Sequence, residues 1–187
     1  MFSILVFTAR AGSRKFIVQP KIHRGRVNAE GRRFAVVVSR WNDFLTSKLA
    51  DGALDALESH GASESDVEIF KVPGACALPL TAQKLAESGN FDAIIAIGVV
   101  IRGETPHFDY VAGEAAKGIL QVGLKTGVPV VFGVVTTNTV EQAINRSGVK
   151  AGNKGYEAAV SAIEIVDLYA QIESDSKVKE LAVPHVV

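Results

Sequence analysis

The stretch Gly98-Val-Val-Ile-Arg-Gly-Glu-Thr-Pro-His-Phe-Asp-Tyr-Val111 gathers the residue types best suited to chemistry. An apolar run, Ala93–Ile101, opens into a turn carrying Arg102, Gly103, Glu104, Thr105 and His107, and a helical pattern follows at once. Ligands of parallel α/β proteins gather at the carboxyl ends of strands, where loops meet helix N-termini. An anion held by the turn and a proton-transferring imidazole would then share one corner, which suits a phosphorylated small molecule. Imidazole titrates near neutrality and serves stepwise proton transfer. With no second His and no Cys nearby in the sequence, the pattern offers no metal site.

Three further segments follow strand-like runs. Arg40-Trp41-Asn42 succeeds the β-branched run Phe34–Ser39, Pro73-Gly74-Ala75-Cys76-Ala77 succeeds Val67–Val72, and Thr136-Thr137-Asn138 succeeds the run at 128–135. All should line the same sheet edge as the His107 turn. Trp41 could stack on a flat heterocycle or merely plug the sheet edge. Pro73-Gly74 could bring backbone N–H groups to a ligand or simply turn the chain. Arg146, at a helix end, could pair with phosphate or remain solvated. The Gly- and Lys-rich segment 148–155 fails the Walker pattern in spacing and follows a helix; no G-x-G-x-x-G follows the first strand, so dinucleotide binding has no support.

Periodicity supplies the elements that must position these residues. Strand patterns at 34–39, 67–72, 91–101 and 128–135 alternate with helical patterns at 45–60, 78–88, 110–125, 140–146 and 155–172. Such alternation predicts a central parallel four-stranded sheet inside a three-layer α/β/α sandwich with right-handed crossovers. Residues 21–173 form one domain in this reading, and 174–187 form a loose tail.

The chain has 187 residues, 48% of them hydrophobic, enough for one well-packed domain. Its formal charge is zero, but Arg10, Arg14, Lys15, Lys21, Arg24 and Arg26 all precede the first acid, Glu30, so the body is acidic and only the arm is basic. No aromatic or groove-reading pattern accompanies that charge, which disfavours nucleic acid as a partner. Residues 1–20 read as an atypical basic extension: a hairpin, a transit peptide, an added tag or a poorly ordered leader. The apolar run at 2–8 lacks a preceding basic residue and is too short to span a bilayer. The single cysteine, Cys76, excludes an internal disulfide and fits a reducing compartment, hence the cytoplasm, or a plastid if the arm is a transit peptide.

Five segments in order, R-W-N-D-F, V-P-G-A, G-V-V-I-R-G-E-T-P-H-F-D-Y-V, F-G-V-V-T-T and A-G-N-K-G, run between about residues 31 and 172. In these the chain resembles the 6,7-dimethyl-8-ribityllumazine synthases of riboflavin biosynthesis. The resemblance implies a flavodoxin-like fold and condensation of 5-amino-6-(D-ribitylamino)uracil with 3,4-dihydroxy-2-butanone 4-phosphate, releasing phosphate and water, without metal or organic cofactor. It implies that His107 shuttles protons, that Trp41 stands where the family has an aromatic stacked on the pyrimidine, and that Asn42 and the backbone of Ala75, Cys76 and Ala77 lie along the ribityl chain. Val99, Val100 and Ile101 would offer backbone contacts to the uracil edge. Glu104 and Thr105 would form the phosphate turn. Phe132, Lys154 and Arg146, the last on the phosphate, would come from a neighbouring subunit.

The family forms pentamers, which in many members stack into a hollow icosahedral shell of sixty subunits. The short turn between the last two helices favours the shell, and residues 22–27 would pair as an N-terminal edge strand with the neighbour's sheet. Two positions depart from the family pattern: after V-P-G-A an aromatic and a glutamate are usual, and this chain has Cys76 and Ala77. The departure implies weaker hold on the pyrimidine substrate, and it keeps open an alternative, a weakly active or inactive cage-forming relative or engineered scaffold. A flavodoxin-like nucleotide or flavin binder of another family is the third possibility, disfavoured because no phosphate loop follows Ser39.

Overall fold

The computed structural model describes residues 20–150 and 152–181; the hairpin considered for the leading residues lies outside them. Two strands set the architecture. β1 (Phe34–Ser39) is buried along its whole length, and β3 (Ala93–Ile101) is buried in all but its last residue. Continuous apolar strands of this kind need cover on both faces, which a parallel sheet with crossover helices provides. They form the central pair of a four-stranded sheet of order β2-β1-β3-β4, with β2 (Val67–Val72) and β4 (Val130–Thr137) at the edges. All pairings are parallel, with Phe34 opposite both Val67 and Ala93, and Ile101 opposite Thr137.

Side-chain alternation splits the core in two. Val36, Val38, Ile95 and Ile97 meet Leu49, Ala53 and Leu57 of α1 (Asp43–Ser59) and Ala159, Ala162 and Ile163 of α5 (Lys154–Leu181). Ala35, Val37, Ile94 and Ala96 meet Leu78 and Ala82 of α2 (Leu78–Glu87) and Ala115, Ile119 and Val122 of α3 (His107–Thr126). A short α4 (Val140–Arg146) adds Ala143 to the first cluster. The three-layer sandwich follows directly.

Several boundaries differ from the sequence reading. α3 starts at His107 rather than near 110, so the imidazole sits on the first helical residue. β4 starts and ends two positions later, because Pro129 has no N–H for the ladder and contributes only its carbonyl, which accepts from Ile94 N at 2.9 Å. Thr136 and Thr137 are therefore strand residues. α5 does not stop near 172 but continues to Leu181, since 173–181 holds neither Gly nor Pro and Pro184 is the first breaker.

Residues 20–29 form no strand within the described chain. They run instead along α5: Lys21 pairs with Asp175 at 3.1 Å, Gln171 donates to the Arg24 carbonyl at 3.0 Å, and Asp167 accepts from the Arg26 backbone at 2.9 Å. The edge strand expected at 22–27 is therefore not formed within the described chain.

At the start of α5, a Cβ on Gly155 would lie 1.9 Å from the Leu49 carbonyl oxygen of α1. Backbone touches backbone there, and neither helix can yield without moving the core. Gly155→Ala should therefore cost about 1–3 kcal/mol, read as a lower urea midpoint with an unchanged slope; an unaltered midpoint would refute the tight approach.

Candidate active site

The chain passes from β1 to β2 on one side, while β3 lies on the other, so a crevice opens between the carboxyl ends of β1 and β3. A cleft of about 440 Å³ occupies it, a size suited to a small organic ligand. β1 and the turn after it supply Trp41 and Asn42; the turn after β2 supplies Gly74, Ala75 and Cys76; β3 supplies Val99, Val100 and Ile101; and the α3 entry supplies Thr105 and His107. Residues distant in sequence thus converge because three parallel strands end together.

Trp41 is 73% exposed, so it does not plug the sheet edge but stands beside the cleft with its ring accessible. Asn42 has φ 61° and ψ 43°, the only described non-glycine residue with positive φ. Asn tolerates this left-handed geometry better than most residues. Its carbonyl accepts from Leu45 N at 2.9 Å and Thr46 N at 3.0 Å, opening α1, while its side-chain amide donates to the Val99 carbonyl at 2.9 Å. One residue therefore turns the chain, starts a helix and ties the ends of β1 and β3 together.

Ala75, Cys76 and Ala77 form a single 3₁₀ turn running into α2. Ala75 is buried and Cys76 is exposed in the cleft, whereas Ala77 is half-buried outside its lining and accepts from the Thr81 hydroxyl at 2.9 Å. Glu104 is exposed on the turn and does not line the cleft, unlike Thr105. His107 lines it, exposed, and its imidazole has no hydrogen-bond partner among the described residues.

The structure adds residues that sequence reasoning passed over. Phe108 and Val111 also line the cleft, one helical turn apart on α3; the sequence signal was their i, i+3 spacing, obscured by starting the helix too late. Arg102 takes a role other than anion holder. Its guanidinium grips Asp109 through two hydrogen bonds, of 2.6 and 3.0 Å, and lies 4.2 Å from the Phe108 ring centre. The hydrogen bonds from Arg102 hold the Asp109 carboxyl below its ordinary value of 3.8. A depressed carboxylate pKa stabilises above the unfolded value, so this pair's contribution is complete there and is lost as pH falls through the lower folded value.

Phe132, Arg146 and Lys154 are not brought to this cleft. They line a separate hollow of about 360 Å³ beyond the β4 edge. Lys154 pairs with Glu157 at 2.6 Å, and Arg146 donates to the Gln142 carbonyl at 3.2 Å. The turn between them is closed by Gly148 N to Gly152 O at 3.0 Å and braced by Asn153, whose amide donates to the Lys48 carbonyl at 2.8 Å and whose oxygen caps Gly155 N at 2.8 Å. No described helix is long and apolar enough to cross a membrane.

Comparison with known proteins bears on this geometry. The family described as 6,7-dimethyl-8-ribityllumazine synthase matches residues 31–170. The chain is 57% identical over 153 residues to a 6,7-dimethyl-8-ribityllumazine synthase of Syntrophus aciditrophicus, covering 82% of this chain and 99% of that one. It is 58% identical over 154 residues to one of Chlorobium phaeobacteroides, again covering 82% and 99%.

The two functions of Asn42 separate by substitution. Asn42→Gly keeps the left-handed turn and loses only the Val99 bond, at about 1 kcal/mol. Asn42→Ala loses the bond and adds about 1–2 kcal/mol of backbone strain. Urea unfolding should rank native, Gly, Ala; equal losses would show that the turn carries no strain.

Proposed function

The chain belongs to the 6,7-dimethyl-8-ribityllumazine synthase family and is a transferase of riboflavin biosynthesis; we propose that its condensation runs in the cleft between β1 and β3, completed by a second copy of the chain. The observation that carries the proposal is the convergence of Trp41, Asn42, Val99, Val100, Ile101 and His107 on one small cleft at the sheet's switch point.

In this reading the pyrimidine lies against the Trp41 ring, with its edge along the ends of Val99, Val100 and Ile101 and its ribityl chain toward Asn42 and the Ala75–Ala77 turn. The phosphate of the butanone lies at Glu104 and Thr105, where backbone N–H groups act and the exposed Glu104 side chain points to solvent. The aryl amine attacks the ketone, and the carbinolamine loses water to give an imine. Loss of the neighbouring carbon proton expels phosphate, the resulting enol becomes a second carbonyl, and the ribityl-bearing amine closes the ring with loss of a second water. Every step moves protons, and none calls for a strong nucleophile from the protein. Co-holding the two reactants is worth on the order of several kcal/mol of the barrier. His107 then adds about a hundredfold by carrying protons between these steps.

The enzyme acts on two small molecules as an oligomer. Phe132, Arg146 and Lys154 sit on the far side of β4, which supports their delivery to a neighbour's cleft, with Arg146 on the phosphate. A pentamer, and the sixty-subunit shell built from it, is the assembly that fits this sharing, with residues 22–27 pairing along the neighbour's sheet. We place the enzyme in the cytoplasm, where an exposed thiol such as Cys76 stays reduced.

A turnover assay on size-fractionated protein, following the lumazine chromophore, tests the reading. Product above the spontaneous rate in the pentamer fraction or larger supports it; an intact large assembly giving only the background rate makes the chain a shell without the reaction. His107→Ala should slow turnover about a hundredfold without abolishing it, and a complete loss in a correctly assembled variant contradicts the proton-carrying role. Ala77→Glu should restore a carboxylate to the ribityl side and lower KM for the pyrimidine, on the order of tenfold for one charged hydrogen bond. An unchanged KM removes Ala77 from the binding argument.

A further inference from the structure

The turn that carries His107 has little to hold it. Residues 102–107 are all exposed, and the helix it opens has Pro106 at its N-cap, with no side-chain hydrogen bond to the first amides. The His107 imidazole has no hydrogen-bond partner among the described residues. An imidazole on such a turn would sample many positions, yet proton transfer needs it within hydrogen-bond reach of the reacting atoms.

Arg102 supplies the restraint. Its backbone N donates to the Thr137 carbonyl at 2.9 Å, fixing it to the end of β4, and its Nε donates to Asn138 Oδ1 at 3.2 Å. From that anchor the guanidinium reaches across the turn to both oxygens of Asp109, at 2.6 and 3.0 Å, and covers the Phe108 ring at 4.2 Å. A planar fork matched to a carboxylate fixes orientation as well as distance. Phe108 and Asp109 are the two residues directly after His107, so holding both fixes the helical turn that aims the imidazole. We propose that Arg102 is a positioning residue for the reaction: anchored to β4 and Asn138, it clamps Phe108 and Asp109 and thereby holds His107 at the cleft.

The clamp is half-exposed, with side-chain accessibilities of 40% for Arg102 and 56% for Asp109. Exposed pairs add little to stability, so its value lies in geometry, and variants lacking it should still fold and assemble. The inference rests on the proposed reading of the cleft. Absence of turnover by the native protein would remove that reading; native turnover with the pattern below reversed would remove only the clamp.

The test is a kinetic cycle on the assembled enzyme with Arg102→Gln, His107→Ala and the double variant. Arg102→Gln should lower kcat about tenfold, leave KM for both substrates within about twofold, and leave the assembly size unchanged. In the His107→Ala background it should cost nothing further, because nothing remains to be aimed. Arg102→Lys, which keeps the charge without the fork, should recover only part of the loss. The proposal is overturned if the two losses multiply, if KM for the phosphate-bearing substrate rises selectively, or if kcat is unaffected. Should Arg102→Gln fail to assemble, Asp109→Asn, the same cut from the other partner, is to give the same non-additive pattern; additive losses there overturn the clamp equally.

Discussion

Everything in this molecule depends on burying β1 and β3 on both faces at once. Neither strand offers an edge or a face to water, so helices must cover both sides, and only parallel crossovers deliver them with connections this short. The same constraint makes the crevice. Once the chain leaves β1 toward β2 and later returns to the other side of β1 as β3, the loops at the two carboxyl ends diverge and leave a gap between them. Asn42 then spans that gap from below by binding the Val99 carbonyl. The site is a consequence of strand order before any side chain is chosen for chemistry.

The sequence made the strand order's ingredients plain because apolar runs and helical periods report burial, and burial is what the sheet enforces. It also brought most of the cleft into view, since Trp41, Asn42, Ala75, Cys76, Thr105 and His107 all follow strand-like runs. What it could not show depends on contacts between segments. Arg102 beside an exposed turn looks like an anion holder until Asp109, seven residues on, is seen to occupy both arms of its fork. Asn42 looks like any turn residue until its positive φ and its Val99 partner are known. The continuation of α5 past 172 is a local failure of a different kind: polarity was read as looseness, though Ser-Asp-Ser-Lys breaks no helix, and the leading chain clasps that helix as far as Asp175.

The described chain leaves apolar surface open beside its β4 edge. Phe132, Leu120, Leu124 and Tyr169 stand exposed about that edge and the helices flanking it, the kind of apolar surface at which interaction sites form. The cationic pair Arg146 and Lys154 sits on that same side, away from the crevice. Arg146 lies at the end of α4 and Lys154 at the start of α5, and Asn153 locks the turn between them onto α1. Among the described residues Glu157 is the one carboxylate paired with either of these charges, and in the proposed reading they meet a second anion, the substrate phosphate, in a neighbour's cleft.

The chemistry fits so modest a set of groups because its difficulty is one of encounter rather than of bond strength. Two reactants of ordinary reactivity must be brought together, oriented and relieved of protons in the right order, and confinement alone can supply the larger share of that. A site of this sort tolerates loss of individual polar contacts better than one built round a nucleophile, since no single group carries the reaction. That tolerance would accommodate Cys76 and Ala77 at the positions where the resemblance implies an aromatic and a carboxylate. On the proposed reading the cost falls on how tightly the ribityl end is held, while the proton route through His107 and the turn that aims it remain in place. Binding and proton transfer in that reading lie on different elements, the Ala75–Ala77 turn and the α3 entry, so one can weaken without the other.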